Sequence, residues 1–303
     1  MALQPATQAA VNPWTWNPHP EVWLALVLLA GGYAWAVNVL GPRKVGEGER
    51  AGRASGDLPG EKPASAKQVF AFYSGIILLW FASDWPLHDI AERYLFSFHM
   101  IQHLAFMLVV PPLLLLGTPR WLLRSLIGTG ARFRVMRVLT KPVVALLIFN
   151  GTVAFIHWPV IVGLQTSSNA GHGVVHALIL GASIIGWWPV VSPLPELGRM
   201  TDIAKMFYLF LTSVIPTVPA SFLTFAEGVL YQHYETVPRL WGLTATTDQM
   251  IAGLIMKIGG GLLLWSVIAV LFFRWNAREE RAEAESVSWD DFERELEAWD
   301  MRK

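Results

Sequence analysis

The chain has 303 residues, 53% of them hydrophobic and 15% charged, with a formal net charge of zero. It is more apolar and less charged than soluble domains, which points to an all-α polytopic membrane protein. The balanced charge offers no basic field for nucleic acid. The absence of cysteine excludes disulfides and thiolate metal ligands, so His, Met, carboxylate and backbone are the available donors.

Residues 1–20 are rich in Pro and Asn and read as an irregular segment, with Trp14 and Trp16 at an interface. They carry no Lys or Arg and no compact apolar run, so they do not resemble a cleaved signal peptide. An uncharged apolar run from Val22 to about Leu40 is the first span. Residues 41–67 then turn to Gly, Pro, Ser and mixed charge and read as a mobile linker. A short second span follows, from about Val69 to Ser83. Asp84 to Asp89 read as a polar loop.

The third span, about Tyr94 to Leu116, carries His99 and His103 and is expected to kink at Pro111-Pro112. Residues 117–142 form a basic loop. Span four, about Val143 to Gly163, has His157 near its far end. Span five, His172 to Val191, opens with His172 and His176. Span six, about Ile203 to Phe225, is interrupted by Pro216 and Pro219. A loop over 226–248 contains His233 and ends at Asp248. Span seven, about Gln249 to Phe273, carries Lys257. These seven spans make residues 21–275 one membrane domain. The charged tail, 276–303, places Trp289, Phe292, Leu296 and Trp299 at helical spacing. With Ser288 and Asp291 as caps, it reads as a separate amphipathic helix on the membrane or on a partner.

Seven spans put alternate loops on opposite sides. One side then holds the linker, the basic loop, residues 192–205 and the tail, with 20 of the 23 Lys and Arg residues. The other holds Arg93 and Arg239, while Lys257 lies within a span. The positive-inside rule places the first side in the cytoplasm, with the N-terminus outside and the C-terminus inside. All eight histidines fall on the outer side.

Within a helix, residues four apart share a face. His99/His103 and His172/His176 are such pairs, on different spans at similar depth, and His157 can join them. Neutral imidazole suits copper, zinc, iron and nickel. Met107 lies four residues beyond His103, and Met250 near the outer end of span seven; thioether favours Cu(I), although Met also fills gaps in cores. Asp248 can act as a ligand or as an acceptor that fixes an imidazole tautomer. Met100 and Met256 read as packing residues. His19, His88 and His233 read as ordinary loop residues. The competing structural account makes the paired histidines interhelical hydrogen-bonders.

Several stretches together resemble a known family. They are Pro86-Leu87-His88-Asp89, Phe98-His99-Met100-Ile101-Gln102-His103 running into Pro111-Pro112-Leu113 and Gly117-Thr118-Pro119, and Asp248-Gln249-Met250-Ile251-Ala252-Gly253. They are similar to the CtaG family of membrane-embedded cytochrome c oxidase assembly factors, the kind associated with caa-type oxidases. The resemblance spans roughly residues 70–273. It implies a cell-membrane protein that helps make active haem–copper oxidase, handling copper between an extracytoplasmic donor and oxidase subunits, without catalytic turnover. The alternatives are a haem protein with bis-His ligation, a metal-dependent membrane enzyme, and a metal-independent scaffold for oxidase subunits. Zinc remains chemically compatible with the same imidazoles. An enzyme would draw its general base from Asp84, Asp89, Glu227, Glu235 or Asp248.

Overall fold

The computed structural model describes residues 12–44 and 63–301, with backbone alone at 169 and 284–290. Residues 1–11, most of the expected linker (45–62) and the side chains of Ser288 and Trp289 lie outside the described residues. Among the described residues all regular structure is helical. Six helices are long and apolar enough to cross a membrane, and a bent pair brings the number to seven.

Helix α1 (Pro20–Trp35) continues through a wide π-helical turn, Ala36–Leu40, to Lys44. Helix α2 (Ala66–Ser83) begins with a capping box: Ser65 accepts from the Gln68 amide, and the Gln68 side chain accepts from the Ser65 amide. The two helices are latched at one end by Asp84, whose Oδ2 accepts the indole N–H of Trp23 at 2.7 Å and of Trp80 at 2.8 Å.

The expected polar loop after Ser83 is instead a short buried helix, α3 (Leu87–Arg93). Leu87, Ile90 and Ala91 pack inward and bury His88 and Asp89 with them. Span three is α4 (Phe96–Leu104), a π-helical turn at Ala105–Val109, and α5 (Val110–Gly117). Its distortion precedes the prolines. Pro111 has no N–H to offer the carbonyl of Met107, and the Trp187 indole donates to that oxygen instead, at 2.8 Å. In a bilayer an unanswered carbonyl costs several kcal/mol, so this long-range bond makes the irregular turn tolerable.

The basic loop contains α6 (Arg120–Ile127) and α7 (Ala131–Leu139). Helix α8 (Pro142–Ile156) is bent by 75° from α7, and together they make the seventh candidate span. The chain breaks at His157-Trp158 and resumes as α9 (Pro159–Ser167). Helix α10 (Asn169–Val191) follows. Span six divides into α11 (Asp202–Val214) and α12 (Thr217–Phe225), the break falling at Pro216. After the small α13 (Gln232–Thr236), α14 (Ala245–Leu254), a π-helical turn (Ile255–Gly259) and α15 (Gly260–Asp300) complete the chain.

The tail is therefore not a separate capped helix but the continuation of span seven to Asp300. No Gly or Pro interrupts residues 276–300, which are rich in helix-forming Ala, Glu and Arg. Arg278 pairs with Asp202 at the start of α11. Lys257 is exposed on the outer wall of the bundle, its ammonium 5.9 Å from the centre of the Phe225 ring.

The two helices with paired histidines form the centre of the bundle. Over half of the Phe96–Gly117 window (56%) and half of Ala170–Val191 (50%) is buried, against 17–28% for the other four candidate spans. The outer faces present Leu24, Phe70, Ile77, Phe207, Phe222 and Leu262 to the surroundings, as a lipid-facing surface requires. Close backbone approaches fix the packing. A Cβ on Gly117 would lie 2.4 Å from the amide nitrogen of Phe72, and one on Gly253 would lie 2.5 Å from Thr224 Oγ1.

Candidate functional site

The histidines of α4 and α10 converge at one end of the bundle. Their helical spacing brings each pair together: His99 and His103 have ring centroids 4.1 Å apart in a tilted contact, and His172 and His176 are 4.1 Å apart edge to face. Across the helices, His99 lies 5.9 Å from His172, and His103 lies 5.7 Å from His176. His157, at the end of α8, joins from the side with its ring 5.9 Å from His103. Its Nδ1 bonds the Val153 carbonyl at 2.7 Å; the nitrogen must carry the proton, so the other ring nitrogen is a lone-pair acceptor.

Burial is nearly complete: His99 is 0% and His103 1% exposed. Yet His157 Nε2, His176 Nε2 and both ring nitrogens of His103 and of His172 lack a hydrogen-bond partner. Each such atom costs about 1–3 kcal/mol. As placed, these rings make no hydrogen bonds to one another across the helices. Among the described residues no three His, Asp or Glu side chains are already arranged to hold a metal ion. The arrangement is a close-packed group of free imidazole donors, not a closed coordination sphere.

His19 and His88 belong to the same group, although each read as a loop residue. His88 lies 5.1 Å from His172, and His19 lies 4.8 Å from His88, ring centre to ring centre. The Gln102 amide explains the position of His88. It donates to the Ala82 carbonyl at 2.7 Å and contacts His88 Nδ1 at 3.0 Å. Ala82 is four residues before Pro86, so its carbonyl lacks the usual helical donor. Since an amide nitrogen only donates, His88 Nδ1 is an acceptor and its proton sits on Nε2. That nitrogen faces Glu92 Oε2 at 3.3 Å. The other Glu92 oxygen lies 3.9 Å from His172 Nδ1. Glu92 was not singled out by pattern, since it falls between the expected loop, Asp84 to Asp89, and the third span from Tyr94.

A cavity of about 660 Å³ opens beside these groups. His19, His88, Glu92, His172, His176 and His233 line it, against apolar walls from α1, α2 and α10. His233 also bonds the Glu92 backbone carbonyl at 2.9 Å. His99, His103 and His157 lie behind the lining.

Three expected donors are not brought into the group. Asp248 is fully buried, but its oxygens accept the backbone N–H groups of Phe96 (2.7 Å) and Ser97 (3.0 Å). It caps α4 rather than facing an imidazole. The rest of its motif is structural as well. The Gln249 side chain joins Leu230 N and Gly228 O, and Gly253 admits Thr224. Met107 packs in the apolar core beside Phe149, Val153 and Met256. Met250 is 41% exposed on the outside of the bundle.

The model of the cytochrome c oxidase caa3 assembly factor family (Caa3_CtaG) matches residues 31–278. The chain is also 24% identical over 234 residues to the uncharacterized protein ML1998 of Mycobacterium leprae (strain TN), a match covering 71% of this chain and 35% of that protein. The chain thus spans about a third of the length of the curated relative it matches. No solved structure matches. The chain belongs to the cytochrome c oxidase caa3 assembly factor family.

Proposed function

We propose that this membrane-embedded family member carries copper as cargo for cytochrome c oxidase, bound by His99, His103, His172 and His176 with His157 as an additional donor. One observation supports the reading most strongly: buried imidazoles from three helices are packed together with ring nitrogens left unpartnered. A soft, low-coordinate cation such as Cu(I) satisfies such donors without a closed cage. Zinc accepts the same imidazole donors, so elemental analysis of the purified protein separates the two ions.

The distribution of Lys and Arg orients the histidine end away from the cytoplasm. The ion then arrives from an extracytoplasmic donor and leaves to an oxidase subunit within the membrane, with no catalytic turnover on this chain. Copper bound by the purified protein, with and without His103→Ala and His176→Ala, tests the reading. Each substitution is expected to lower the affinity or the number of ions bound. Unchanged binding in both removes these residues from the site.

A further inference from the structure

The histidine group is arranged in two tiers. His172 and His176 line the cavity with Glu92, whereas His99, His103 and His157 do not. Each of two inner rings lies against an outer one: His99 is 5.9 Å from His172, and His103 is 5.7 Å from His176, centre to centre. Glu92 stands at the boundary, with one oxygen toward His88 Nε2–H and the other toward the unpartnered ring of His172.

We propose that Glu92 and His172 form an entry pair that captures the cation from the cavity before it reaches the inner imidazoles, with Glu92 positioned by the Gln102–His88 hydrogen-bonded chain. The inference rests on the copper reading above and adds to it a residue, an order of events and a route.

First, Glu92 brings a carboxylate to the imidazole group from the cavity side, and a negative charge on a cavity wall attracts cations into it. Arg93, Glu21 and His19 also line this cavity, and Arg93 Nε is 3.5 Å from Oδ1 of the buried Asp89. Arg93 is thereby engaged by a neighbouring carboxylate. Second, the Gln102–His88–Glu92 chain resembles the outer hydrogen bonds that orient metal-binding side chains. It links the helix bearing His99 and His103 directly to the entry carboxylate. Third, His172 is 5% exposed, lines the cavity and has its Nδ1 3.9 Å from Glu92 Oε1, so it is placed as a second donor for an ion held at Glu92.

The test is Cu(I) uptake by the purified full-length chain in detergent, followed by stopped-flow as the ion leaves a coloured chelator. Glu92→Gln, close to isosteric, is expected to slow loading by roughly tenfold and to weaken its dependence on salt, while the final number of ions bound stays at the wild-type value. Glu92→Asp restores part of the rate. His103→Ala instead lowers the final capacity. Wild-type loading rates in Glu92→Gln overturn this inference alone. So does a loss of capacity in Glu92→Gln equal to that in His103→Ala, because the site then has one tier. A wild-type chain that takes up no Cu(I) overturns the copper reading itself.

Discussion

Asp248 Oδ2 accepts the backbone N–H of Phe96 at 2.7 Å, so a side chain of the last span holds the first turn of the helix that presents His99 and His103. A carboxylate at a helix N-terminus meets both free N–H groups and the positive end of the helix dipole. Replacing it with Ala leaves the buried amides of Phe96 and Ser97 unanswered, at a cost of about 2 kcal/mol or more. Thermal unfolding in detergent should show a clearly lower midpoint for Asp248→Ala and a smaller fall for Asp248→Asn, which keeps one acceptor. If copper binds, the Asn variant should retain the full number of ions, because Asp248 serves the helix and not the ion.

Trp187 plays the corresponding part for the irregular turn before Pro111. Its indole N–H answers the Met107 carbonyl at 2.8 Å. Trp187→Phe keeps most of the ring volume and removes that donor. A destabilisation of about 1–3 kcal/mol is expected, read as a lower unfolding midpoint. A midpoint equal to wild type would mean that another donor, or water, answers Met107.

The close contact of Gly253 with Thr224 makes another sharp prediction. A Cβ there would lie 2.5 Å from Thr224 Oγ1 and 2.8 Å from the Ala220 carbonyl. Gly253→Val should separate α14 from α12 and disturb Asp248 five residues away. Gly261, by contrast, has open space around its Cβ position, so Gly261→Ala should leave the yield of folded protein unchanged. Expression and size-exclusion profiles of the two variants distinguish the outcomes.

Orientation is open to direct measurement because the chain has no native cysteine. Glu235→Cys and Ser125→Cys place single thiols at exposed positions on opposite sides of the proposed topology. An impermeant maleimide should label Glu235→Cys in intact cells and Ser125→Cys only after lysis. The reverse pattern would put the histidine cavity on the cytoplasmic side and remove an extracytoplasmic donor from the account.

Much of this architecture was legible as pattern. The apolar runs located six of the spans, whereas the fourth, expected over Val143–Gly163, stops at Ile156 and joins the bent α7 instead; four-residue spacing put His99 with His103 and His172 with His176 on shared faces. The remaining features depend on contacts between distant parts of the chain. Asp248 reads as a plausible ligand because nothing local reveals that Phe96 and Ser97, some 150 positions away, use its oxygens. His19 and His88 read as loop residues because the Asp84 latch that brings α1 against α2, and the Gln102 bond that holds His88, are tertiary. Glu92 had no signal of its own. A buried helix over 87–93 would have predicted it, since Glu92 lies one turn from His88 on the same face. Met107 and Met250 illustrate the opposite error: proximity in depth does not fix the direction of a side chain around the helix.

The central claim is that the paired imidazoles hold copper. The most direct measurement is copper K-edge absorption combined with elemental analysis, on protein prepared from its native membrane and on a variant with His99, His103, His172 and His176 all changed to Ala. The account predicts copper in the wild-type sample, with a first shell dominated by nitrogen and without sulfur, and loss of that copper in the variant. A wild-type protein without copper, or a variant that retains the same copper and the same spectrum, would contradict it.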